Sequence, residues 1–212
     1  MTDFKLGQNP VAAVECIAQG HLGRIDVTKV VYGPVEAAHH KWSINVVGYC
    51  ADHCLSAINI DSWRGLLGTA RYDFCAVWGL LKGRSSDVKM YCDNTLFGEG
   101  VSALFVNTTQ HFGKGMRAAP HARLDDGKLD VGNIVGTRGQ MIRMFTLIKT
   151  GQAASLIQSC QAATVELQMP THQGVFNVDG EPTMHHHEVI SMTVHERALP
   201  LYVPTQEMFL AS

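Results

Sequence analysis

Charge is scarce in this chain of 212 residues: Asp, Glu, Lys and Arg make up 17% of it, and the formal net charge is -2. No basic field is present to hold a polyanion, so a nucleic-acid partner is not expected. No apolar run approaches the ~20 residues that cross a bilayer. The opening MTDFKLGQNP lacks the basic-then-apolar order of a secretory signal. Nucleotide signatures are missing as well: there is no P-loop, no Gly-x-Gly-x-x-Gly after a strand and no kinase catalytic-loop pattern. Neither a Gly-x-Ser-x-Gly elbow nor His-Glu-x-x-His occurs, and the βαβ alternation of a nucleotide-binding sheet is absent. With 46% hydrophobic residues, disorder and coiled coil are also poor descriptions. A soluble, cytoplasmic, globular protein is expected, with one good core or two small ones.

Metal-site spacing is equally thin. Of the six cysteines only Cys50 and Cys54 are close, and with His53 between them they lack the second ligand pair of a zinc site. Reduced, mostly buried thiols are the expectation. The run His185-His186-His187 alternates faces if extended, so it does not converge on one ion. A metal hydrolase built on the histidines therefore has no support in spacing.

Periodicity organises the rest. Asn9-Pro10 opens a helix, Val11, Val14, Ile17 and Ala18 form its apolar stripe, and Gly20 ends it. Strands are predicted over 24–32 and 42–49. Leu67, Ala70, Phe74, Val77, Trp78 and Leu81 recur at helical spacing and predict a helix over 66–81, its stripe facing a core. Beyond Asp87 short strands dominate, at 87–92, 101–107, 129–135, 162–168, 174–178, 188–195 and 199–203. A helix over 139–150 interrupts them. Such spacing predicts a mainly β fold with a few helices, an antiparallel β-sandwich or barrel.

Two turns concentrate carboxylates beside glycine. Arg123-Leu124-Asp125-Asp126-Gly127-Lys128 reads as a hairpin turn. The alternative to that plain turn, which spacing alone favours, is a hard-cation site, since Mg2+ takes oxygen ligands and keeps several waters. In Asn177-Val178-Asp179-Gly180-Glu181-Pro182 a strand runs into acid and Pro stops the ladder. If extended geometry persisted, Asp179 and Glu181 would share a face and raise one another's pKa, as a general base requires; otherwise this is an exposed turn. A third segment, 107–120, is a glycine-containing polar loop in which Lys114 and Arg117 could meet phosphate or anionic lipid.

Together these segments resemble a known family. FVNTTQHFGKGMRAAPHARLDDGKLDVGNIV, then KTGQ, then VFNVDGEP, is similar to the C-terminal half of the diacylglycerol kinase, sphingosine kinase and ceramide kinase superfamily, as are INVVGYCADHC and GTARYDF upstream. The resemblance covers roughly residues 10 to 204. It implies a lipid-holding β-sandwich over 1–212, with residues 1–23 a helical junction to an N-terminal nucleotide-binding domain that this chain does not contain. ATP would lie in the cleft between the two domains, and that domain would be supplied in cis or in trans.

Roles follow from the resemblance position by position. Glu181 corresponds to the general base that takes the proton of a lipid hydroxyl, and Asp179 to the residue organising that base. Asp126 corresponds to the carboxylate ligand of a structural Mg2+, with backbone carbonyls from Arg123 and Lys128. Arg71 resembles a phosphate-contacting arginine, which would offset charge on the transferred phosphoryl group. Sphingosine kinases carry an acid where this chain has Cys54, which favours a neutral lipid alcohol such as diacylglycerol or ceramide, with a sphingoid base as the other possibility. The expected protein is thus the C-terminal part of an ATP-dependent lipid kinase, peripheral to membranes, inactive as the isolated chain and self-associating through its bare face. The alternative is a non-catalytic lipid-binding or scaffold protein derived from such a kinase.

Overall fold

Asn9 caps the first helix as predicted, its side chain accepting from the Val11 N–H at 3.0 Å. Helix α1 (Pro10–Gln19) ends at Gly20, which takes the left-handed conformation at φ 72. The computed structural model describes residues 9–50, 86–112, 116–137, 139, 140, 143, 147, 157–169, 174–185 and 189–203. The helix predicted over 66–81 lies outside them. Of the helix predicted over 139–150, the described residues Gly139, Gln140, Arg143 and Leu147 are helical. The stripe of α1 does not face a core: Val11, Val14 and Ile17 are 57–65% exposed, and Cys16 is the buried residue of this helix.

The strands are β1 (Leu22–Tyr32), β2 (His39–Ser43), β3 (Val46–Cys50), β4 (Ser86–Cys92), β5 (Thr95–Val101), β6 (Ala103–Asn107), β7 (His111–Phe112), β8 (Met116–Arg117), β9 (Leu129–Ile134), β10 (Gln158–Ala162), β11 (Thr164–Gln168), β12 (Gly174–Val178), β13 (Glu181–His185) and β14 (Val189–Tyr202). They form two six-stranded sheets, ordered β2-β1-β14-β11-β4-β5 and β10-β9-β6-β3-β12-β13, and a short β7-β8 ribbon. Every pairing is antiparallel. The expected mainly-β sandwich is what the chain adopts.

Alternating residues of both sheets meet in one core, where Val30, Met90, Leu104, Leu167, Phe176 and Ile190 are sealed from water. Each such side chain contributes roughly 1.5–3 kcal/mol on burial. The sheets lie over one another so that β2 meets β12 at one end and β4 meets β10 at the other.

Several predicted boundaries change for physical reasons. The strand predicted over 42–49 is two strands on different sheets, with Ile44 and Asn45 carrying the chain across. β5 was not predicted; glycines 98 and 100 dilute its pattern, but Asp93 and Asn94, both at positive φ (47 and 64), fold it back on β4. Likewise 188–195 and 199–203 are one strand, β14, with Arg197 at φ 47 inside it. Pro182 does not stop the ladder, since it lies on the edge strand β13 opposite Asn177, where a missing N–H costs nothing.

Candidate functional site

The Asp179-Gly180 turn is a two-residue hairpin loop between paired Val178 and Glu181. Both central residues have positive φ, 50 and 97, as a type I′ turn requires, and Gly180 supplies that freedom without a Cβ. Gly180 N donates to Asn177 Oδ1 at 2.7 Å, closing the turn. Extended geometry therefore does not persist through Asp179, and the sharing of a face with Glu181 expected from alternation does not occur.

Instead, the Asp179 carboxylate reaches the corner where the chain passes from β2 to β3. It accepts from Ser43 Oγ at 2.7 Å and from the N–H groups of Ile44, Asn45 and Val46 at 2.8, 3.1 and 2.8 Å. Its own N–H donates to Val46 O at 2.9 Å. A carboxylate taking three backbone donors and a hydroxyl is a strong local clamp, since bonds to a charged acceptor are about twice as strong as neutral ones. Asp179 thus locks the hairpin carrying Glu181 onto the crossing between the two sheets.

Glu181 opens β13 with its side chain 80% exposed, and Lys41 Nζ stands 3.4 Å from Oε2. Its carboxylate is otherwise open to solvent. Lys41, which pairs with Glu181, is a residue the sequence reading did not single out. Next to this corner lies a buried polar group. Thr108 N–H and Oγ1 donate to Asn45 O and Ile44 O, both at 3.0 Å, and Thr109 Oγ1 makes a short bond to Asn45 Oδ1. Asn107 is fully buried and its Nδ2 donates to Thr109 O, while its Oδ1 has no hydrogen-bond partner among the described residues. The signal for these residues is the polar break Ser43-Ile44-Asn45 inside an otherwise apolar stretch.

The second acidic turn is held from below by Asp26, a lone acid inside the apolar strand β1. Asp26, 1% exposed, accepts from Gly127 N at 2.8 Å and from Arg197 N at 2.7 Å, and its own N–H donates to Leu124 O at 2.7 Å. Burial raises the Asp26 carboxyl above its ordinary value, against the lowering effect of those two backbone bonds. The register slip between Ile25 and Val27 and the positive φ of Arg197 are the bulge that makes room for it.

Within the turn Asp125 pairs with Arg197 at 3.2 Å and Arg123 at 3.7 Å, while Asp126 Oδ1 accepts the Lys128 N–H at 3.1 Å. Nearby, the Asp130 carboxyl is pushed up to about 6, first by burial and then by the Asp126 charge, against a hydrogen bond from Gln161. The predicted Mg2+ donors, Asp126 and the carbonyls of Arg123 and Lys128, are hard oxygens within one tight turn, the donor chemistry Mg2+ takes. They fit the ion. Among the described residues no three His, Cys, Asp or Glu side chains gather to hold a metal.

The structure therefore places Asp179 with Glu181, and Arg123 with Asp126 and Lys128, in two turns held by different partners. Arg71, Cys54 and Lys114 lie outside the described residues, as do His186 and His187. Arg117, the remaining basic candidate of the polar loop, is spent within it, donating to Gln110 Oε1 at 3.1 Å and Pro120 O at 3.2 Å. No described helix is long and apolar enough to cross a membrane.

The family model of the YegS C-terminal NAD kinase beta sandwich-like domain matches residues 47–202. A crystal structure of a candidate diacylglycerol kinase from Bacillus anthracis str. Sterne superposes with a TM-score of 0.73 at 16% identity over 95% of this chain. A second structure from that organism, of a diacylglycerol kinase, gives 0.68 at 15% identity and the same coverage. This chain spans 64% and 63% of the lengths of those two proteins. No protein of curated function matches it.

Proposed function

The chain belongs to the YegS C-terminal NAD kinase beta sandwich-like domain family, and on that premise we propose that it is the lipid-holding C-terminal part of an ATP-dependent lipid kinase. The observation that carries the proposal is Glu181, an exposed carboxylate on a hairpin that Asp179 clamps to the corner between the sheets. A general base must be fixed in position yet open to its substrate, and this arrangement gives both.

In the proposed reaction Glu181 takes the proton of the lipid hydroxyl as its oxygen attacks the γ-phosphorus of ATP, and ADP leaves. Asp179 acts as a positioning residue, since its carboxylate is committed to the corner. Lys41, beside Glu181, would offset charge on the transferred phosphoryl group, the role also assigned to Arg71 by resemblance. Mg2+ at Asp126, with the carbonyls of Arg123 and Lys128, would supply positive charge among neighbouring carboxylates and stiffen that turn. The nucleotide-binding domain comes from an upstream segment or a second chain. The substrate is a neutral lipid alcohol of the diacylglycerol or ceramide type, met at a membrane surface through peripheral contact.

The test is Glu181→Gln in the assembly that includes the nucleotide-binding domain. Turnover falls by about 10²-fold or more while lipid binding is kept. Unchanged turnover would remove Glu181 as the base, and a lipid-binding assembly with no phosphoryl transfer at all would favour the scaffold alternative.

A further inference from the structure

Cys92 and Cys160 lie 68 positions apart in sequence, yet their Sγ atoms stand 2.9 Å from each other. They come from different sheets. Cys92 ends β4 in the first, opposite Val165 of β11, and Cys160 lies in β10 at the edge of the second, opposite Val131. Both are half-buried, pack against the core from their own sheet, and stand at the end of the sandwich away from the β2–β12 contact.

The contact is over-determined by the backbone around it. Asp93, next to Cys92, accepts from the N–H groups of Ala163 and Thr164 at 3.0 and 2.8 Å and from Thr164 Oγ1 at 3.2 Å. Its own N–H returns a bond to Thr164 O at 2.9 Å. Ala163 is where the chain crosses from β10 to β11, so these bonds fasten the β4–β5 turn to the crossover that follows Cys160. The two sulfurs are held together by groups other than themselves.

We propose that Cys92 and Cys160 form an oxidative modification site, in which a peroxide joins the two thiols into a disulfide that staples one sheet to the other. The sulfurs need less than about 1 Å of closure to reach the ~2.05 Å of a disulfide bond. The Cys160 S–H donates to Cys92 Sγ. When one sulfur of such a pair ionises, the remaining S–H stabilises the thiolate, so the pair gives up its first proton more readily than its second. The ionised sulfur attacks and the other resolves.

The chemistry balances in two steps. The thiolate of one cysteine attacks one peroxide oxygen, the O–O bond breaks, and the departing hydroxide takes a proton to leave as water, giving a sulfenic acid. The sulfur of the other cysteine then attacks the sulfenic sulfur, the S–O bond breaks, and hydroxide leaves as water with the second thiol's proton. Hydrogen peroxide is reduced to two waters, and the two thiols lose two electrons between them. A thiol reductant reverses the change and is itself oxidised to a disulfide.

The test treats the reduced full chain with hydrogen peroxide and maps peptides under non-reducing conditions. The expected result is a Cys92–Cys160 linked peptide, the loss of two hydrogens in mass, and a rise in Tm of about 5 °C or more, as expected for closing so long a loop. In Cys92→Ser and in Cys160→Ser the remaining cysteine has lost its resolving partner, so its sulfenic acid persists and is trapped by dimedone. Oxidation that links other cysteines, or that leaves Cys92 and Cys160 as free thiols, overturns the site. No dimedone labelling in either variant overturns the sulfenic-acid route. The wild-type map stands without the variants, so a variant that fails to fold leaves the site itself decided.

Discussion

The Asp179 carboxylate accepts the Ser43 hydroxyl at 2.7 Å across 136 positions of sequence. That bond, with three from successive backbone N–H groups, ties the hairpin of one sheet to the last residue of a strand in the other. The candidate base Glu181 inherits its position from this joint.

Removing the clamp is expected to show in stability. Asp179→Ala leaves the Ile44, Asn45 and Val46 N–H groups without their acceptor and costs about 1–3 kcal/mol. Ser43→Ala, which removes a single donor, costs about 0.5–1.5 kcal/mol. Urea midpoints of the two variants would be compared, and equal losses would mean the backbone bonds contribute little.

Glu181 is expected to behave the other way. Its ion pair with Lys41 is exposed, and such pairs contribute about 0–1 kcal/mol. Glu181→Gln therefore leaves the urea midpoint nearly unchanged, so any loss of turnover in the proposed assembly with a nucleotide-binding domain is a loss of chemistry. A large drop in stability would show that Glu181 supports the hairpin instead.

Mg2+ is expected to stabilise the folded chain through the Asp126 turn. At a hundredfold excess over its Kd the ion adds about 2.7 kcal/mol. Thermal melts with Mg2+ and with a chelator would differ accordingly, and Asp126→Ala would abolish the difference. A Tm insensitive to Mg2+ in the parent chain would remove the site.

Asp26 is expected to make stability depend on pH. Because burial raises its folded carboxyl above the ordinary 3.8, its contribution is fully present below that value and is lost as pH rises through the raised one. Asp26→Asn removes this dependence. It also presents an amide to two backbone N–H donors and leaves one of them unmet, at about 1–3 kcal/mol. The stability gap between parent and variant should therefore be wider at pH 3.5 than at pH 7 in paired urea titrations. A gap that widens with pH would mean the backbone bonds outweigh burial.

Much of the fold was legible residue by residue. Asn9-Pro10 and Gly20 bound α1 because capping chemistry is local, and strands such as β4, β9 and β12 show in runs of apolar residues. The acidic turns were legible as turns because Asp-Gly is a local signal. The stripe of α1 was legible but its exposure was not, since periodicity finds a stripe and not what packs on it. Lys41, Asn45 and Asp26 were missed as site residues because each takes its meaning from a partner far along the chain.

Local composition was enough for turn chemistry, for many of the strands and for the mainly antiparallel character of this chain, because those depend on neighbours within a few residues. Only the tertiary structure decided that β2 and β3 belong to different sheets, that Asp179 clamps their junction rather than sharing a face with Glu181, and that Cys92 meets Cys160. Those outcomes depend on which strands pair and which sheet edges overlie one another. A residue spacing of two or of 3.6 carries no record of that choice, which is made by burying both apolar faces at once.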